Sequence, residues 1–218
     1  MKKISALLVV FAMLAVPLTA GAQTTTNTAF QVANLNETDT ANISVVFYDT
    51  SGTEVYTMDD TIPGGQSKIY VQASMTDLGT TFNGSVVISS DQEVAAVVNQ
   101  NTTGDSRYNA AYTGFSEGSD TFYLPVILNG FYGWHTEVSV QNAGASAVDV
   151  TITYSTAGCT DSATGLAMGA AVRFDNMATC AGGLDANGSA TISASGPVVA
   201  VVNQITPSDE KEQTYNGF

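Results

Sequence analysis

Asn83-Gly84-Ser85-Val86-Val87-Ile88-Ser89 returns as Asn187-Gly188-Ser189-Ala190-Thr191-Ile192-Ser193. Val94-Ala95-Ala96-Val97-Val98-Asn99-Gln100 returns as Val198-Val199-Ala200-Val201-Val202-Asn203-Gln204. Working outward, Thr28–Asn34 (TAFQVAN) matches Thr136–Asn142 (TEVSVQN). Val46-Phe47-Tyr48 matches Ile152-Thr153-Tyr154, and Tyr112-Thr113-Gly114-Phe115 matches Tyr215-Asn216-Gly217-Phe218. The offset drifts only from 108 to 103, so the two copies differ by a few loop residues. Internal repetition of this kind predicts two tandem modules of about 90 residues, residues 23–118 and 119–218.

Each copy reads as β. Ile43–Asp49 and Val148–Ser155 alternate, which places Val46, Tyr48, Val150, Ile152 and Tyr154 on one face. Lys68–Gln72 alternates as well. Val94–Val98 and Val198–Val202 are unbroken apolar runs, the pattern of strands covered on both sides. Asn83-Gly84, Asn187-Gly188 and Pro63-Gly64-Gly65 are turn signals. No stretch has a long helical period, and Met75–Leu78 suits a single helical turn. The expected fold is all-β, two tandem Ig-like β-sandwich domains after a cleaved signal peptide. An outer-membrane barrel is the structural rival, because the chain ends in Phe218. The same Gly-Phe ending recurs mid-chain at Gly114-Phe115, and the Val runs lack the in/out alternation of barrel strands.

The signal peptide is read at residues 1–22. Met1-Lys2-Lys3 precedes an apolar run from Leu7 to Leu18, and Ala20-Gly21-Ala22 is a small-x-small cleavage site. The apolar run is shorter than the ~20 residues of a membrane anchor. No second run is long enough to span, so no membrane span is expected in the mature chain. A secreted, cell-surface protein follows.

The 218 residues hold 20 acidic and six basic side chains, for a net charge of -14. Loss of Lys2 and Lys3 with the signal leaves four bases against 20 acids, or -16. Such a surface excludes nucleic acid, whose phosphates need Lys and Arg. Both copies share the negative charge, which serves solubility.

Phe122-Tyr123-Leu124-Pro125, Tyr132-Gly133-Trp134-His135-Thr136 and Val140-Gln141-Asn142 resemble the opening of a tandem extracellular β-sandwich repeat of secreted bacterial surface proteins. Ile62-Pro63-Gly64-Gly65 and the Asn83–Gln100 block are similar to its later parts. The resemblance covers most of the mature chain. It implies an extracellular sandwich module without assigned chemistry. The first copy departs from it by lacking the Phe-Tyr-Leu-Pro opening.

Few residues offer chemistry. Cys159 and Cys180 are the only cysteines, and in an exported chain they are expected to form a disulfide. Thr53 and Thr76 hold the matching positions of the first copy, so the bond would be a local staple. His135 is the sole histidine, and no Gly-x-Ser-x-Gly elbow or comparable motif accompanies it. A structural place at the start of a strand is expected for it, and no enzyme is expected. Phe131, Tyr132 and Trp134 form a candidate ligand surface for sugar stacking, with core or interdomain packing as the bland reading. Calcium is the one candidate cofactor, on Asp59-Asp60 and on Asp185 and Asn187, although neither pair makes a complete loop. The sequons at Asn36, Asn42, Asn83, Asn101 and Asn187 are frequent by chance in so polar a chain. The Asn99-Gln100 and Asn203-Gln204 pairs are expected to satisfy backbone groups at strand ends.

One asymmetry bears on function. About 15 residues, Thr121–His135, precede Thr136, and they include the strand-like run Phe122–Leu128. Only Gln23–Asn27 precede Thr28 after cleavage, so the first copy lacks an opening strand. A sandwich missing a strand exposes an edge and an apolar groove. Phe122, Leu124, Val126 and Leu128 form the candidate assembly strand, pairing within or between chains, or the first copy is simply smaller. The expected function is a non-catalytic structural protein, a self-assembling cell-surface filament or layer subunit. The alternative is an adhesin-like module that binds carbohydrate or another cell.

Overall fold

The computed structural model describes residues 9–13, 25–78, 82–103, 109–155, 158–175, 186–206 and 212–218. Residues 9–13, 25, 26, 102, 103, 186 and 212 are described by backbone alone. The described chain is all-β, with two single turns of 3-10 helix at Gln72–Ser74 and Thr76–Leu78. The strands of the N-terminal half are β1 (Val9–Met13), β2 (Thr25–Asn34), β3 (Ala41–Asp49), β4 (Glu54–Ile62), β5 (Ser67–Val71), β6 (Gly84–Ser90), β7 (Val94–Thr103) and β8 (Asn109–Thr113). Those of the C-terminal half are β9 (Ser119–Phe131), β10 (Trp134–Asn142), β11 (Val148–Tyr154), β12 (Thr160–Leu166), β13 (Ala171–Asp175), β14 (Ala186–Ile205) and β15 (Glu212–Asn216).

In the first half two four-stranded antiparallel sheets, β1-β6-β3-β4 and β5-β2-β7-β8, enclose one core. Phe30 and Val32 of β2 and Val98 of β7 meet Ile43, Val45 and Phe47 of β3 and Val86 and Ile88 of β6. Aromatic rings fill the width between the layers. Phe30 stacks on Tyr70 at 5.0 Å, and Phe47 meets Phe82 edge-on at 5.7 Å. This offset and edge-to-face geometry suits the ring quadrupoles.

The second half repeats the order. The first part of β14 lies between β9 and β11, with β12 outside β11. The second part of β14 lies between β10 and β15, with β13 outside β10. β14 therefore does the work of both β6 and β7, passing from one layer to the other through Gly196 and Pro197. The registers agree too. Ile88 opposes Val9 and Val45, and Ile192 opposes Phe122 and Ile152. A second core holds Leu124, Val138, Ile152, Ile192 and Val202.

Several details correct the sequence reading. The core face of β3 is Ile43, Val45 and Phe47, whereas Val46 and Tyr48 point outward. Val45-Val46-Phe47-Tyr48 is apolar at every position, so alternation alone does not choose a face, and a slip of one residue exchanges the two. Phe47, not Tyr48, is the counterpart of Tyr154, because Phe47 opposes Val86 while Tyr154 opposes Ala190. Asn187-Gly188 lies inside β14 at a register shift against β9, and is not a turn. Val94–Val98 is buried only at alternate residues and leaves Val97 exposed, whereas Val198–Val202 is buried throughout. Thr25–Asn27 extend β2 along β7, so this part of the expected tail is strand.

A pair of buried asparagines recurs with the same wiring. Asn34 donates through Nδ2 to the Ile62 and Asp39 carbonyls and accepts the Asn36 N–H. Asn142 donates to the Leu166 and Ser146 carbonyls and accepts the Gly144 N–H. Each ties a strand end to its loop and to the opposite layer, satisfying backbone groups that would otherwise be buried unpaired. The repeat of Asn at the end of TAFQVAN and TEVSVQN was the available signal.

Candidate functional site

The place of an opening strand is filled in both halves, by different means. β9 pairs with β14 through Phe122↔Ile192 and Ala190↔Leu124. β1 pairs with β6 at the same level, through Val9↔Ile88 and Phe11↔Val86. The edge of β6 is thus occupied by residues that the sequence reads as part of an export signal. β1 also runs alongside β10 and β14 of the second half.

Phe122–Leu128 is committed to its own half. Phe122 and Leu124 are buried in the second core. Leu128 N–H donates to Thr136 Oγ1 at 2.8 Å, and Val126 carbonyl accepts the Tyr215 hydroxyl at 2.6 Å. Burial pushes the Tyr215 phenol up to about 12. Completion of the first half by Phe122–Leu128 of the same chain is therefore not what the structure holds. The physical reason is that Phe122 and Leu124 have apolar partners of their own across β14. Tyr123 and Pro125 face outward, and a register shift beyond Leu124 turns Val126 outward and buries Ile127 in its place, with Tyr123 63% and Val126 44% exposed.

The halves touch along β8 and β15, where Asn216 Nδ2 donates to the Thr113 carbonyl at 2.7 Å and Phe115 meets Phe122 edge-on, and through contacts around Gly169. Ser85 Oγ donates to the Gly169 carbonyl at 2.6 Å, and Ala171 N–H points to the Thr50 carbonyl at 3.4 Å. The Tyr48 ring lies over Gly169, where a Cβ would come within 2.7 Å of it. Gly169 has φ +73°, so glycine serves both the turn and the close approach. Val201 of β14 packs against the first core, which explains why its run is covered on both sides.

The aromatic cluster sits on the β9–β10 hairpin. Phe131 and Tyr132 are edge-to-face at 4.6 Å, and Trp134 is half-buried. Tyr132 is 87% exposed at φ +50°, a left-handed conformation unusual for a bulky residue. His135 is the second residue of β10, opposite Ile205 and Asn129, as expected for a strand-start position.

The two carboxylates of the first calcium candidate do not converge. Asp59 and Asp60 are adjacent on β4 and so face opposite ways. Asp60 is bound to Lys68 Nζ at 2.6 Å and to the Tyr70 hydroxyl at 3.0 Å. Burial alone would raise its carboxyl pKa, but Lys68, the Thr61 N–H and Tyr70 together hold it below the ordinary value. Asn187 is exposed, and Asp185 lies outside the described residues. Cys159 precedes β12, packs against the second core and is not a free thiol. Cys180 lies outside the described residues.

Gln204 Nε2 donates to the Val126 carbonyl and Asn203 Oδ1 accepts the Thr214 hydroxyl. Asn99-Gln100 lies within β7 rather than at its end, correcting that expectation, whereas Asn203-Gln204 sits at the end of β14, just before its last residue Ile205. Gln204 still satisfies a backbone group. Neither a family model nor a curated protein matches the chain.

Proposed function

We propose that the protein is a non-catalytic extracellular structural subunit, built as two Ig-like sandwich modules at 23–118 and 119–218, that assembles into a cell-surface filament or layer. Ig-like is meant in the layered sense of two antiparallel sheets over one core. The observation that carries this reading is the shared position of β1 and β9. Residues 1–22 are read as a signal peptide, so processing removes β1 and leaves the β6 backbone edge unpaired. An unpaired edge is a template for a strand from another chain. Export, the tandem repeat and the resemblance to surface-protein repeats support the same conclusion. A Cys159–Cys180 disulfide would staple the second module, and closing a loop of that size contributes ~3 kcal/mol in the chain-entropy model.

The test compares the chain lacking residues 1–22 with the chain retaining them, by electron microscopy and solution mass. Filaments or sheets from the shorter chain alone are expected. Equal assembly of both forms would remove β6 as the acceptor edge.

A second reading, binding of carbohydrate or another cell, is favoured by the exposed Tyr132 beside Phe131. Aromatic faces on a hairpin tip suit sugar stacking. A glycan array that shows binding lost in Tyr132→Ala would select this reading over the structural one.

A further inference from the structure

We infer that copies of this chain dock head to tail, the end of the second half of one copy covering the outer face of the β5-β2-β7-β8 sheet of the next. This shares with the reading above only the premise of self-association, since the β6 edge takes no part in it.

The chain already contains one such contact. The outer face of the β13-β10-β14-β15 layer is buried, including Glu137, Ser139, Gln141, Val199 and Val201. Its cover is the first half: Val201 packs against the first core, β1 lies alongside β10 and β14, and Tyr48, Thr50, Gly52 and Ser85 meet the adjoining β12–β13 turn at Met168–Ala171. The equivalent face of the first half has no cover among the described residues. Gln31, Ile69, Val71, Ala95 and Val97 lie on it, with Ile69 61% and Val97 41% exposed. None of the described outward-pointing residues on its four strands is charged. A charge-free apolar face is unusual on a chain of net charge -14.

Among the described residues, the matching end of the second half is also uncovered. Ser155 and Ser189 take the places of Tyr48 and Ser85, and both are exposed. β9 takes the place of β1, so this end needs no leader segment to be complete. Tyr123 stands where Val10 stands in β1, and it and Val126 are exposed on the outer side of β9. Each chain therefore has two faces and two ends of one kind, with one pair joined internally. The face and the end left over each carry exposed apolar side chains, Ile69, Val71 and Val97 on one and Tyr123 and Val126 on the other, and lie on different halves. Joining them repeats the internal contact between chains, a heterologous contact that does not close on itself.

Analytical ultracentrifugation of the chain lacking residues 1–22 tests this. The expected result is a mass that rises with concentration in monomer steps. Val97→Glu on the face and Tyr123→Glu on the end should each remain monomeric. Mixing these two variants should yield a heterodimer and nothing larger, because one good face meets one good end. Val97→Thr, which keeps a β-branched side chain, should weaken association by roughly tenfold or less; circular dichroism checks that every variant is folded. A wild-type monomer at all concentrations overturns the inference, as do folded glutamate variants that associate like wild type. Monomeric glutamate variants, together with equal assembly of chains with and without residues 1–22, would sustain the face contact while removing the strand-pairing reading.

Discussion

At the residue scale, stability rests on a few large buried side chains far more than on the Asp60–Lys68 ion pair. Phe47 is fully buried among Phe30, Tyr56 and Phe82. Phe47→Ala removes a ring and leaves a cavity, and is expected to cost about 3–5 kcal/mol in a denaturant titration. Gly84 is constrained by a neighbour, because a Cβ there would overlap the Tyr48 carbonyl and the Phe82 ring. The Asp60–Lys68 pair is half exposed and is worth no more than about 1 kcal/mol. The carboxyl pKa is lowered in the folded state, so its contribution is present above the ordinary carboxylate pKa and is lost as pH falls through the folded value. Asp60→Asn should lower Tm by about 2 °C near neutral pH. That difference should vanish well below the ordinary aspartate pKa of about 3.9, as thermal melts across a pH series would show.

At the scale of elements, β6 and the first part of β14 are the same strand in two settings. β14 is flanked by β9 and β11 within one continuous chain. β6 is flanked by β3 and by a segment read as removable. Hydrogen exchange on the chain lacking residues 1–22 should therefore show faster exchange at alternate β6 amides than in the chain retaining them. The amides of β14 between Asn187 and Ser193 should exchange equally in both. Protection of β6 in the unassembled short chain would mean that the edge is covered by something else.

At the scale of the whole molecule, the halves are coupled around Gly169 and along β8 and β15, where Asn216 bonds the Thr113 carbonyl. Tyr48→Ala removes the ring over that glycine while leaving Phe47 and both cores in place. Small-angle scattering should report a broader distribution of shapes for this variant, with two-sheet secondary structure unchanged by circular dichroism. An unchanged scattering profile would assign the coupling to the Ser85–Gly169 hydrogen bond, the Val201 contact and the β8–β15 contact instead. The negative charge spread over both halves adds long-range repulsion between copies, so association by apolar faces should strengthen with added salt.

The sequence by itself determined the β character and the duplication, because alternation, turn glycines and the recurrent Val-rich run are local patterns that a chain carries without its fold. It also marked the asymmetry at the opening strand, which follows from comparing what precedes Thr28 and Thr136. The tertiary structure decided what periodicity cannot: which face of Val45–Tyr48 is core, since both alternations are apolar and only the opposing sheet chooses between them. It decided that Asn187-Gly188 continues a strand, because β9 and β14 hold it on one side. It placed Val9–Met13 beside β6, a pairing across more than 70 residues that no local signal specifies. And it separated two nearly identical Val runs, one exposed on a sheet face and one buried beneath the other half, a difference set wholly by what packs on them.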